Sequence, residues 1–319
     1  MTDIETMPAH RFTVGGALGF GFEVLKARPQ SVLILLIGQA LIYVVLTLGQ
    51  FILMGDLARQ GIQAVEMGNA ADAYAVSMQF SSASSLFSLL GLPLWLWLEA
   101  VWLTLFMTGR FTLWPGWAGL GRLTLAGLIL FGVYIVSLFV LVFVVMIGVV
   151  VAMLVAESGT GDSSVAALLT VLALAVLAVF AMIAVLSLFS ALPAHALSGR
   201  PFEIGAAIRT GRRHLMGATV SWFVFLVLYM LALILSYGAI ALMVGDHVVN
   251  TLNTVIETPQ DPLMSMRLYA QLAPGADQAL MSALFLMPVM LVMGVIMLIG
   301  RGISAKLALS MPPADEKAD

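Results

Sequence analysis

Apolar residues in this chain fall in long unbroken runs, not in the alternating or stripe-like patterns of soluble elements. Six runs, at about 31–55, 84–108, 124–156, 164–192, 217–244 and 279–300, are each long enough to cross a membrane as a helix. A hydrocarbon core of about 30 Å needs roughly 20 such residues. The pattern predicts an all-α polytopic membrane protein with six transmembrane helices, forming a single membrane domain over 1–319. The run 124–156 exceeds one straight crossing at about 1.5 Å per residue, so it should tilt or project beyond the bilayer. The segment after it, Glu157-Ser-Gly-Thr-Gly-Asp162, is short, acidic and glycine-rich, as a tight link between helices should be. The connections at about 56–83 and 245–278 are longer, and each is expected to carry a short amphipathic helix. The first run, Ser31 to Gly55, is well beyond the roughly 7–15 residues of a signal-peptide core, and is expected to be a true span.

Composition agrees with a membrane solvent. Hydrophobic residues make up 61% of the chain and charged residues 10%, against about 25% charged in a soluble domain. Net charge is −3 with no long basic run, which argues against a nucleic-acid partner. There is no cysteine, so disulfides, thiolate metal sites and cysteine nucleophiles drop out together. Position matters more than number for the basic residues. Of the 14 Lys and Arg, twelve fall on one side of the six spans, and only Arg59 and Arg267 fall on the other. Cytoplasmic loops are the basic ones, so both termini are expected in the cytoplasm.

An internal repeat is visible. Three spans close on Gly-Arg, at Gly109-Arg110, Gly199-Arg200 and Gly300-Arg301, and two of these are followed twelve residues on by Gly121-Arg122 and Gly211-Arg212. Residues 109–127 and 199–217 match at an offset of 90, and Phe12, Val14, Gly15, Ala17, Leu18, Gly21 and Leu25 meet their counterparts from Phe202 onward at an offset of 190. The expected unit is a cytoplasmic amphipathic segment, a span out and a span back, over about 11–110, 111–200 and 201–301, with 302–319 as a cytoplasmic tail. Glycine at each helix end would permit a left-handed C-cap, and the arginine beside it would face the headgroups.

Two of the amphipathic segments are explicit. In 12–28 the expected apolar stripe is Val14, Leu18, Phe22 and Leu25, followed by Lys26 and Arg28; in 202–215 it is Ile204, Ile208 and Leu215, with Arg209, Arg212 and Arg213 off the stripe. Helices of this kind lie in the headgroup plane. The copy at 111–123 is broken by Pro115 and anchored by Trp114 and Trp117. Candidate contacts for anionic lipid or a partner are Lys26, Arg28, Arg110, Arg122, Arg200, Arg209, Arg212, Arg213 and Arg301. The same residues would also serve simply to set topology.

Glu99 is the charged side chain deep inside a span, with Trp95 and Trp102 at i−4 and i+3. An intramembrane carboxylate is costly unless paired or protonated. No basic residue is expected within a span, which favours a protonated acid. Either Glu99, Trp95 and Trp102 form a proton- or cation-coupled site, or the acid hydrogen-bonds an indole or a carbonyl and holds helices together. His10, His195, His214 and His247 lack metal-ligand spacing, so no metal and no cofactor is expected. No second acid or Ser–His pair in facing spans suggests intramembrane catalysis. Met281, Met287, Met290, Met293 and Met297 around Pro288 read as lipid-facing or core filler, or as an adaptable binding face.

The opening Phe12-Thr-Val-Gly-Gly-Ala-Leu-Gly-Phe-Gly-Phe-Glu-Val-Leu-Lys-Ala-Arg-Pro29 and its echo at 202–217 resemble a bacterial group of six-helix proteins, the membrane domain of glycerophosphoryl diester phosphodiesterases. The catalytic part of that group is missing: there is no His-Arg-Gly start and no Glu-x-Asp pair. The resemblance implies a bacterial inner-membrane protein without enzymatic activity. The function expected is lipid binding or scaffolding of an envelope complex, with membrane lipids and other membrane proteins as partners. The alternative is a transporter or permease coupled through Glu99.

Overall fold

The computed structural model describes residues 12–157, 161–257, 263–275 and 278–311. Among these the elements are α1 (Val14–Ala27), α2 (Pro29–Glu66), α3 (Ala70–Thr108), α4 (Trp117–Glu157), α5 (Gly161–Phe189), α6 (Leu192–Ala196), α7 (Ile204–Arg213), α8 (Leu215–Glu257), α9 (Met264–Leu272) and α10 (Ala279–Leu309). Six stretches are long and apolar enough to cross a membrane: α2, α3, Trp117–Val151, Leu169–Ala196, Leu215–Ser236 and α10. The chain is therefore an all-helical, multi-pass membrane protein. Along α4, Phe131, Phe139 and Phe143 are exposed, and lipid is the solvent that tolerates such a surface. The link expected at 157–162 lies partly outside the described residues.

Of the two longer connections, the first turns out differently and the second carries the short helix expected of it. The segment 56–83 is no loop: α2 runs on to Glu66 and α3 begins at Ala70. The turn between them is local chemistry, with Gly68 left-handed at φ 71° and the Asn69 side chain accepting from the Asp72 N–H at the start of α3. Polar residues in 56–83 sit on two extended helices, and hydropathy alone reads such a stretch as a loop. In 245–278, α8 continues to Glu257 and α9 follows as a short separate helix.

The contacts divide the chain into two compact units. Unit 1 is Met1–Pro29, Glu99–Val227 and Leu298–Asp319; unit 2 is Gln30–Leu98 and Leu228–Met297. In unit 2, α2 presents Gly55, Ala58, Gly61 and Ala64 as a buried stripe of small residues. Gly55 meets Ala273 and Tyr269, and Gly61 meets Met266 and Val76. Arg59 bonds Asp56 at 2.7 Å and donates to the Ala270 carbonyl at 3.1 Å. A cation on the last carbonyls of α9 satisfies acceptors that the helix itself cannot.

Unit 1 is built around the last turns of α10. Gly302 lies against the Gly21 backbone on α1, and Gly300 against the Phe225 ring on α8. Ser304 Oγ donates to the Ser190 carbonyl, 2.6 Å away just past α5. The end expected at residue 300 is thus the middle of a helix: residues 303–309 are helical, and Ile303, Ala305, Leu307 and Ala308 are buried. Of the three expected Gly-Arg ends, Gly109 (φ 66°) is left-handed directly after α3, Gly199 (φ 74°) is left-handed in the turn beyond α6, whose cap is Leu197, and Gly300 lies inside a helix.

The faces of α1 and α7 that pack within unit 1 are made by residues other than the apolar stripes. On α1 the buried residues are Ala17, Phe20, Gly21 and Val24, and on α7 they are Ala207, Thr210 and Gly211. Small residues win because both helices approach a neighbour's backbone: a Cβ on Gly21 would sit 2.5 Å from the Leu298 carbonyl, and Gly211 presses on that of Leu188. Residues 111–116 form no helix, and α4 starts directly at Trp117.

Candidate functional site

The last turns of α3, from Leu98 to Phe106, are almost wholly buried, with Trp102 and Phe106 inaccessible to solvent. Thr104 and Thr108 return their hydroxyls to the carbonyls of Ala100 and Thr104, each at 2.7 Å. Such back-bonding lets a hydroxyl sit in a dry helix. On this face Glu99 Oε2 accepts from Arg301 Nε at 2.9 Å, and the two side chains are 15% and 4% exposed. The expectation that Glu99 has no cation within reach is therefore wrong. Arg301 lies within α10 and gives Glu99 an ion-pair partner inside the span.

Arg301 also lies over the Trp102 ring, 4.8 Å from its centroid, where the ring's negative face attracts a cation. The aromatic contacts continue from Trp102 to Phe106 (6.3 Å) and from Phe106 to Phe20 on α1 (6.0 Å). Lys306, itself buried, places its ammonium 5.2 Å from the Phe20 centroid. Both cations of α10 thus rest on one connected set of rings. Arg301 Nη1 is buried and has no hydrogen-bond acceptor among the described residues. Trp95, expected beside Glu99, is 45% exposed and belongs to unit 2.

The remaining candidates divide cleanly. Lys26, Arg28, Arg110, Arg122, Arg200, Arg209, Arg212 and Arg213 are exposed, and Arg301 is not. All eight flank helix ends or lie on α1, α4 and α7 of unit 1. Trp114 and Trp117 meet edge to face at 4.9 Å and are both exposed.

No protein-family model, curated protein or solved structure matches this chain.

Two histidines that carry no chemistry in the sequence have structural roles. His195 is buried and stacks on Phe202 at 5.7 Å, and its Nε2 accepts the Glu203 N–H at 3.2 Å. An accepting Nε2 places the ring proton on Nδ1, and the contact fixes the chain between α6 and α7. His214 closes α7, its ring 5.4 Å from that of Phe12. Burial, and then the neighbouring Arg213, hold its pKa below the usual value. The folded state therefore resists protonation there. This contribution to stability is complete above about pH 6.5, the unfolded value, and is lost as pH falls through the lower folded pKa. Thermal unfolding in detergent at pH 7.5 and 5.5 should show a larger drop for wild type than for His214→Gln. Equal drops would remove His214 as a source of acid sensitivity.

A signal for Arg301 is present in the sequence. Apolar residues continue past it through Ile303, Ala305, Leu307 and Leu309, so the helix has no reason to stop at Gly300.

Proposed function

We propose that this protein is a non-enzymatic component of the bacterial inner membrane, with both termini cytoplasmic, that binds anionic lipid or scaffolds an envelope complex through its basic face. The observation that carries this reading is the exposure of eight basic side chains on the helix ends of one unit, beside exposed tryptophans suited to the headgroup zone. α1 and α7 would lie in the plane of the headgroups, their small residues against the spans and their cations outward. A threefold repeat fits the same picture in part. The buried residues Ala17, Phe20 and Gly21 stand 190 positions before Ala207, Thr210 and Gly211, and the left-handed Gly109 stands 90 before Gly199. The resemblance to the phosphodiesterase membrane-domain group supports the same assignment.

Each basic residue near an anionic surface contributes about 1 kcal/mol. Substituting Arg209, Arg212 and Arg213 together by alanine should therefore weaken retention of anionic phospholipid by on the order of 100-fold. Native mass spectrometry of protein released gently from its own membranes reads this directly. Unchanged retention of lipid, and of any stoichiometric protein partner, in a variant that expresses normally would sink the reading.

Transport of a small or lipidic solute is the second reading, favoured by a charged pair within two candidate spans. In that case Glu99 would couple solute movement to a proton or cation only while its bond to Arg301 is open.

A further inference from the structure

We propose that Arg301 is the centre of an oxyanion site inside unit 1, which takes a phosphate group carried by a lipid headgroup or free in solution. Such a site goes beyond the function proposed above, since it lies in the interior of the unit and not among its exposed arginines.

Arg301 has unmet hydrogen-bonding capacity. A guanidinium offers five N–H donors and can neither accept nor shed its charge. Glu99 takes the Nε donor and Trp102 covers the plane, while Nη1 is left buried without an acceptor. A guanidinium N–H is a donor only, so the unmet Nη1 calls for an acceptor. Charge points the same way. Arg301 and Lys306 are both buried, and among the described residues Glu99 is the carboxylate that pairs with either. One positive charge is left in excess.

A cation at Glu99 would find its carboxylate engaged and a guanidinium 2.9 Å away, so the site does not suit a metal or ammonium ligand. A water molecule could satisfy Nη1 but would leave the charge uncompensated. An oxyanion does both, and the arginine fork matches the geometry of phosphate.

The test uses the full chain, stripped of phospholipid, in maltoside micelles at constant ionic strength. Thermal unfolding is followed with inorganic phosphate added in exchange for chloride, and separately with phosphatidylglycerol in mixed micelles. A ligand that binds only the folded state raises the midpoint. A rise with inorganic phosphate identifies a free anion as sufficient, and a rise with phosphatidylglycerol alone identifies the headgroup. Either rise should vanish in the neutral double variant Glu99→Gln/Arg301→Gln and persist in the triple alanine variant of α7. That contrast separates this site from the basic surface. No rise with either additive, or a rise that survives in the double variant, overturns the proposal. If the double variant does not fold, Arg301→Lys takes its place, because it keeps the charge and loses the fork. A shift undiminished in that variant overturns the proposal equally.

Discussion

Glu99→Leu is expected to destabilise the protein by about 3–5 kcal/mol, the cost of leaving a buried charge without its partner. The partner left behind is Arg301, which is 4% exposed and cannot lose its proton. Arg301→Met should cost less, because the carboxyl of Glu99 left behind is 15% exposed and can find water. The double variant Glu99→Leu/Arg301→Met should recover most of the loss, since apolar replacement of a whole buried pair is commonly neutral or stabilising. Unfolding midpoints of the four proteins in detergent close the cycle. If Glu99→Leu is no worse than Arg301→Met, the pair does not hold unit 1 in the way described.

The second large effect is expected at glycines where helices touch backbone to backbone. An alanine Cβ at position 21 would lie 2.5 Å from the Leu298 carbonyl oxygen and 2.9 Å from its carbon, and at position 211 it would collide with the Leu188 backbone. Neither obstacle is a side chain that can swing aside. Gly21→Ala and Gly211→Ala should each destabilise by about 1–3 kcal/mol, the usual range for overpacking. Gly15 and Gly19 lie on the same helix as Gly21, and an added methyl at either would meet nothing within 4 Å. There alanine should stabilise by roughly 0.5–1 kcal/mol, through better helix propensity alone. Opposite signs within one 14-residue helix would tie the effect to the point of contact. Destabilisation at all three α1 positions would show that α1 is held by something other than this close approach.

The candidate site divides in the same way between local and distant information. Glu99 stands out in the sequence because a carboxylate among apolar residues needs a reason. Its partner is masked, because Gly300-Arg301 repeats the pairs at Gly109 and Gly199, although the apolar residues that follow it already speak against a helix end. The cue at 109 is local, a glycine free to turn left-handed just past α3, and it holds; at 199 the left-handed glycine falls in the turn after α6. At 300 the glycine serves a different purpose, contact with the Phe225 ring, and the pair itself does not distinguish the two uses. The apolar stripes of α1 and α7 do not name the packed faces for a related reason: large apolar side chains mark a lipid-facing surface here as readily as a buried one.

Continuous stretches of chain carry their own instructions. Six runs of apolar residues, each long enough for a bilayer, are enough to specify six helices, since in lipid a backbone must satisfy its own hydrogen bonds. The Gly68-Asn69 turn is equally legible in local chemistry, although its polar flanks conceal it. Two features depend instead on the assembled helices: which face of each is buried, and the bond between Glu99 and Arg301, 202 positions apart. Lipid is as apolar as a leucine side chain, so hydrophobicity cannot tell an inward face from an outward one within a membrane. Small residues, backbone approach and paired charges make that choice, and they are visible only when the neighbouring helix is in place.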